Sequence, residues 1–183
     1  MLPDPLHPAI VHLPIALAVI IPLLAILCTW LIARGALPAR AWLGVVLLQA
    51  MLVGSGWAAI ESGENEEDRV ERVVQESAIE EHEEAAERFL VLAGIGLLLT
   101  GGGLLSENIG AAGRAVATVA TLGVLAAGFQ VGHSGGELVY RHGAANAYLD
   151  PSSQGAAIGA GAVGSPARGG SREDDDDHDD DDD

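Results

Sequence analysis

Residues 9–33 form an apolar run interrupted only by His12 and Thr29, and this run limits the fold more than any other feature. A run of that length crosses a hydrocarbon core of roughly 30 Å with some tilt. No basic residue precedes it and no A-x-A-like site follows it, so it is expected to be a span rather than a cleaved leader. Three further apolar stretches follow, giving spans at about 9–33, 41–60, 86–105 and 113–132. Val70, Val73, Val74 and Ile79 recur at helical spacing, so the third helix is expected to begin before its apolar part. Gly101, Gly102 and Gly103 are expected to end it. Ala115 to Gly132 is rich in Ala and Gly, which favours close helix contact. Lipid offers backbone amides no partner, so each span must be a complete helix. The expected fold is all-α: an integral-membrane four-helix up-down bundle over residues 1–150.

The formal net charge of -17 is at odds with a membrane protein only until the charges are located. Residues 61–87 hold twelve acids and residues 173–183 hold ten more. Charge is therefore confined to one connection and the tail. Residues 151–183, Gly/Ala/Ser-rich and then Asp-rich, bury too little apolar surface to fold and are expected to be disordered. All nine basic residues are Arg. Arg34, Arg40 and Arg114 flank the first and third connections with only Glu107 against them. Short net-positive loops favour the cytoplasm. The expected site is a bacterial inner (cytoplasmic) membrane, with both termini and the acidic connection in the periplasm.

Five of the six histidines then fall at one end of the bundle: His7 and His12 before or in the first span, His82 before the third, His133 and His142 after the fourth. Ionisable groups at a membrane boundary are costly and tend to be functional. Imidazole is a common ligand of haem iron and other metals. His12, His82 and His133 are expected to face one another inside the bundle, with His7, His142, Tyr140 and Arg141 at its rim. Tyr140 and Arg141 suit haem propionates or lipid headgroups. Glu61 can accept a hydrogen bond from a ligating imidazole or join His12, His82 and His133 around a divalent metal. The neighbouring Glu80, Glu81, Glu83 and Glu84 argue against His82 as a ligand, but helix geometry turns them away from its stripe, which continues through Phe89 and Ala93. Glycines around His133 allow either a turn or a close backbone approach.

The segments His7-Pro8-Ala9-Ile10-Val11-His12-Leu13-Pro14-Ile15-Ala16-Leu17 and His133-Ser134-Gly135-Gly136-Glu137-Leu138-Val139-Tyr140-Arg141-His142-Gly143 resemble the opening and closing motifs of a bacterial four-span membrane domain of unknown function, number 2231. The likeness covers about residues 5–150, with Leu13 in place of a more usual Phe. It implies a four-helix membrane domain. Members of that family stand beside c-type cytochrome and other redox modules, which implies electron transfer. The motif positions His7, His12, His133 and His142 carry over, and His82 matches a looser pattern.

Three functions remain open on the sequence. The first is haem b-binding electron transfer between quinol and a periplasmic cytochrome or other redox protein. With two axial histidines there is no open position, so no enzyme activity is expected. The second is a cofactor-free membrane anchor or assembly subunit, in which the histidines form a structural cluster. The third is divalent metal handling, against which stands the lack of charge in the middle of any span. The bilayer is the common partner, a homo-oligomer is compatible with each, and no nucleic acid is expected. Cys28 stands alone, and no C-x-x-C-H motif exists for a thioether-linked haem.

Overall fold

The computed structural model describes residues 5–105 and 107–149. The Asp-rich tail lies outside them. Met1–Tyr148 forms one compact unit, and of the second, Leu149–Asp183, only Leu149 is described. Helix α1 (His7–Ile10) leads into α2 (His12–Ala33); α3 (Leu43–Val70), α4 (Glu76–Gly102) and α5 (Glu107–Tyr140) follow. Pro14 has no N–H to give the Ile10 carbonyl, which explains the break at Val11. Four of these elements are long and apolar enough to cross a membrane. They form the expected bundle: α2 packs on α3 and α5, α4 packs on the same two, and α2 and α4 stand across the diagonal.

The inward stripe of α2 is Pro14, Leu17, Ala18, Ile21 and Ala25, at the three-and-four spacing of one helix face. It meets Val45 and Leu52 of α3, Phe89 and Ala93 of α4, and Ala117, Val124 and Ala127 of α5. Outward residues such as Leu23, Leu47, Leu98 and Val119 are apolar and exposed, as suits helices bathed in lipid. Trp42, in the 3-10 turn Ala39–Trp42, is fully buried and donates its indole N–H to the Thr100 carbonyl at 2.8 Å.

Three helices run further than their apolar stretches. The acidic stretch 61–87, expected as a connection with the third helix starting near Val70, is helical apart from residues 71–75: Val70 ends α3, Val73 and Val74 lie in the turn, and α4 starts only at Glu76. Its apolar residues explain this: Val74, Ile79 and Ala144 form a second buried cluster, flanked by Val70, Ala78 and Leu138. Likewise α5 continues through Gly132, Gly135 and Gly136 to Tyr140. Packing of an inward face compensates for the weak helix propensity of glycine. Gly143 then takes a positive φ of 74° and turns the chain back into the 3-10 turn Ala144–Tyr148, which packs on α5 and α3.

The pairing of α4 with α5 is the most extensive in the bundle and depends on glycine. A Cβ on Gly113 would lie 2.7 Å from the backbone carbonyl of Gly102. Backbone cannot yield as a side-chain tip does. Gly113→Ala is expected to lower stability by about 1–3 kcal/mol, the usual cost of overpacking. Gly94→Ala, where a Cβ meets open space, should leave stability unchanged or raise it slightly. Thermal unfolding in detergent checks both; a Gly113→Ala midpoint at or above wild type would overturn the close crossing.

Candidate functional site

Carried backward through the near-helical Val11, the inward stripe of α2 reaches His7: residues 7, 14 and 21 are two turns apart. His7 therefore points inward from α1, which packs on α3. A four-residue helix needs outside support, and Glu66 of α3 supplies it. One carboxylate oxygen accepts the backbone N–H of Leu6 at 2.6 Å and of His7 at 3.0 Å. The other accepts the Tyr148 hydroxyl at 2.6 Å. A carboxylate at a helix N-terminus satisfies both the free amides and the dipole.

The His7 ring lies over Gly63, where a Cβ would come within 3.3 Å of it. Its Nδ1 is 2.8 Å from the Ala59 carbonyl and 3.0 Å from the Ser62 hydroxyl. Ser62 gives its own hydrogen to the Ala59 carbonyl at 2.7 Å. A carbonyl only accepts and the hydroxyl hydrogen is spent, so His7 must donate from Nδ1. The Nε2 lone pair is then left available.

His82 of α4 repeats the arrangement. Its ring lies over Gly135 of α5, where a Cβ would be 3.0 Å away. Its Nδ1 is 2.9 Å from the Ser134 hydroxyl, which donates to the Val131 carbonyl at 3.1 Å. The same reasoning puts the proton on Nδ1 and the lone pair on Nε2. The two rings stand edge to face, with centroids 6.4 Å apart and planes at 88°. Both are half-buried. On α4 and α5 this polar layer separates the main core from the smaller cluster: Phe89 and Val131 lie on one side along the chain, Ile79 and Leu138 on the other. Glu80, Glu81 and Glu84 are exposed beside it, whereas Glu83, next to His82 in the chain, is half-buried, so three of the four neighbouring acids turn away from the His82 face.

The other residues singled out from the sequence lie elsewhere. His12 is exposed, two residues before Pro14 and so on the far side of α2. His133 is exposed because its neighbours Ser134 and Gly135 take the inward face; it stacks on Phe129, with planes at 4° and centroids 6.5 Å apart. His142 and Glu61 are exposed too. Tyr140 and Arg141 line a shallow outer cleft of about 290 Å³ on α5 with His133 and Glu137. There Arg141 pairs with Glu137 at 2.7 Å, and His133 lies 3.8 Å from the same carboxylate. His12, His82 and His133 are thus not brought together. Among the described residues no group of three or more His, Cys, Asp or Glu is placed to hold a metal ion. The residues passed over were Ser62, Gly63, Glu66, Ser134 and Gly135. Helical phase was the signal for His7 and Ser134; nothing local marks Glu66 among twelve acids.

A family model described as "Predicted membrane protein (DUF2231)" matches residues 3–148. The chain belongs to that family. No curated protein and no solved structure matches it. In this DUF2231 member, the opening motif contributes His7 to the polar layer, and the closing motif contributes Ser134 and Gly135.

The hydrogen-bond pattern predicts one tautomer for both rings. Imidazole ¹⁵N spectra of the neutral protein should show protonated Nδ1 and bare Nε2 at His7 and His82. Ser134→Ala should release His82 to a tautomer mixture while leaving His7 unchanged. An Nε2–H signal in the wild type would refute the assignment.

Proposed function

We propose that this domain is a membrane electron-transfer protein whose centre is a haem b held by His7 and His82. The observation that carries the reading is the pair of imidazoles anchored through Nδ1, which leaves two Nε2 lone pairs in one half-buried layer. Metal-bound histidines are commonly fixed in this way, by giving the other ring N–H to a carbonyl or a similar acceptor. Haem iron would supply reversible one-electron chemistry; the protein's part is to present the nitrogens, fix their tautomer and keep the surroundings apolar. Both imidazoles would serve to hold the iron, and no enzymatic turnover is proposed.

A second reading, one soft metal ion without a macrocycle, is favoured by the packing. The imidazoles already fill the room that Gly63 and Gly135 leave, and an ion needs little more.

The arginine-bearing end supports a cytoplasmic position for Arg34 and Arg40. In that orientation the acidic ends of α3 and α4 and both termini face the periplasm of an inner membrane. The acids would steer a positively charged redox partner to the histidine end, and quinol in the bilayer would supply electrons.

Oxidised and dithionite-reduced spectra, a pyridine haemochrome assay and metal analysis on detergent-purified protein test both readings. The expected result is near-stoichiometric haem b. His7→Ala or His82→Ala should reduce it at least about tenfold, and Ser134→Ala by about 10–100-fold in affinity. His12→Ala and His133→Ala should retain it. Stoichiometric copper or zinc without haem would establish the second reading. Protein free of both, made with ample haem and metal, would overturn the two together and leave a structural histidine cluster.

A further inference from the structure

At the end opposite the histidines, a groove of about 240 Å³ runs between α2 and α3. Its walls are apolar, from Leu24, Leu27 and Cys28 of α2, through Leu37 of the connection, to Gly44 and Leu48 of α3. A Cβ on Gly44 would meet nothing within 4 Å, so this glycine leaves the groove open. Two exposed arginines lie in the same short connection that contributes Leu37 to the groove. Arg34 lies one turn beyond Leu31 and Arg40 next to Ala41, and both Leu31 and Ala41 line the groove. The Arg34 guanidinium rests 4.7 Å over the half-exposed Trp30 ring, a pairing typical of the headgroup level. No acid occurs between Pro5 and Ile60, and α3 directs the positive end of its dipole at the same connection. Arg114 takes no part: it is buried and donates to the Gly103 carbonyl at 2.8 Å.

We infer that this groove is a binding site for one anionic phospholipid, with an acyl chain along Leu24 to Leu48 and the phosphate between Arg34 and Arg40. The two halves do different work. Any lipid tail is as apolar as leucine, so the groove gives fit but little selectivity in a bilayer. The charge of the headgroup decides which lipid stays. This site is independent of the histidine layer.

The test is titration of the delipidated full chain with phosphatidylglycerol and with phosphatidylcholine of identical chains, read by native mass spectrometry. Wild type should bind one phosphatidylglycerol with about a 30-fold preference, the size expected for two arginines. R34Q/R40Q should bind both lipids equally weakly. G44L, which fills open space, should lose both with its unfolding midpoint unchanged. Equal binding of the two lipids by wild type would overturn the proposal, as would a preference that survives in R34Q/R40Q. Retention of the first lipid by a folded G44L would overturn it as well. Because the arginines are exposed, the double variant keeps the test decisive even if G44L unfolds.

Discussion

Each imidazole in the polar layer keeps its place through one relay: a ring N–H to a serine oxygen, and that serine's hydrogen to a carbonyl three residues earlier. A buried donor without a partner costs about 1–3 kcal/mol, and lipid would not relieve it. The relay therefore sets the registers of the elements that carry it. His7 can meet Ala59 and Ser62 only if α1 lies at one level on α3. His82 can meet Ser134 only if α4 and α5 are aligned to match. Gly63 and Gly135 ease both approaches, since a Cβ at either position would crowd the ring at 3.0–3.3 Å.

The rest of the bundle is arranged about that layer. The main core lies on one side and a small apolar cluster on the other, and the second cluster explains why α3 and α4 continue as helices through strongly acidic sequence. Glu66 differs from the surrounding acids in turning inward, where it closes α1 and ties down Tyr148. The two ends of the molecule thus differ in kind. One carries carboxylates around a pair of half-buried histidines, and the other carries two exposed arginines in the connection that contributes Leu37 to an apolar groove.

The fold was legible because lipid reduces the choices. Four apolar runs of spanning length and short connections leave few arrangements other than an antiparallel bundle. The histidine end was legible as a region. Within it, His12 and His133 drew attention by standing inside motifs, yet both face outward. The phase of the apolar stripe separates them from the inward residues: His7 is in step with Pro14 and Ile21, while Ser134 is in step with Ala127. Stripe phase is a property of the whole helix, so reading each motif by itself concealed it.

The sequence by itself determined the number of spans, the family and the end at which the ionisable groups gather. Those follow from hydropathy and chain order, which act locally. Tertiary structure alone decided that His7 pairs with His82, that Ser62 and Ser134 set their tautomers, and that one glutamate among twelve caps α1. The reason is distance along the chain. His7 and Ala59 lie 52 residues apart, as do His82 and Ser134, and contacts at that separation exist only once the helices have packed.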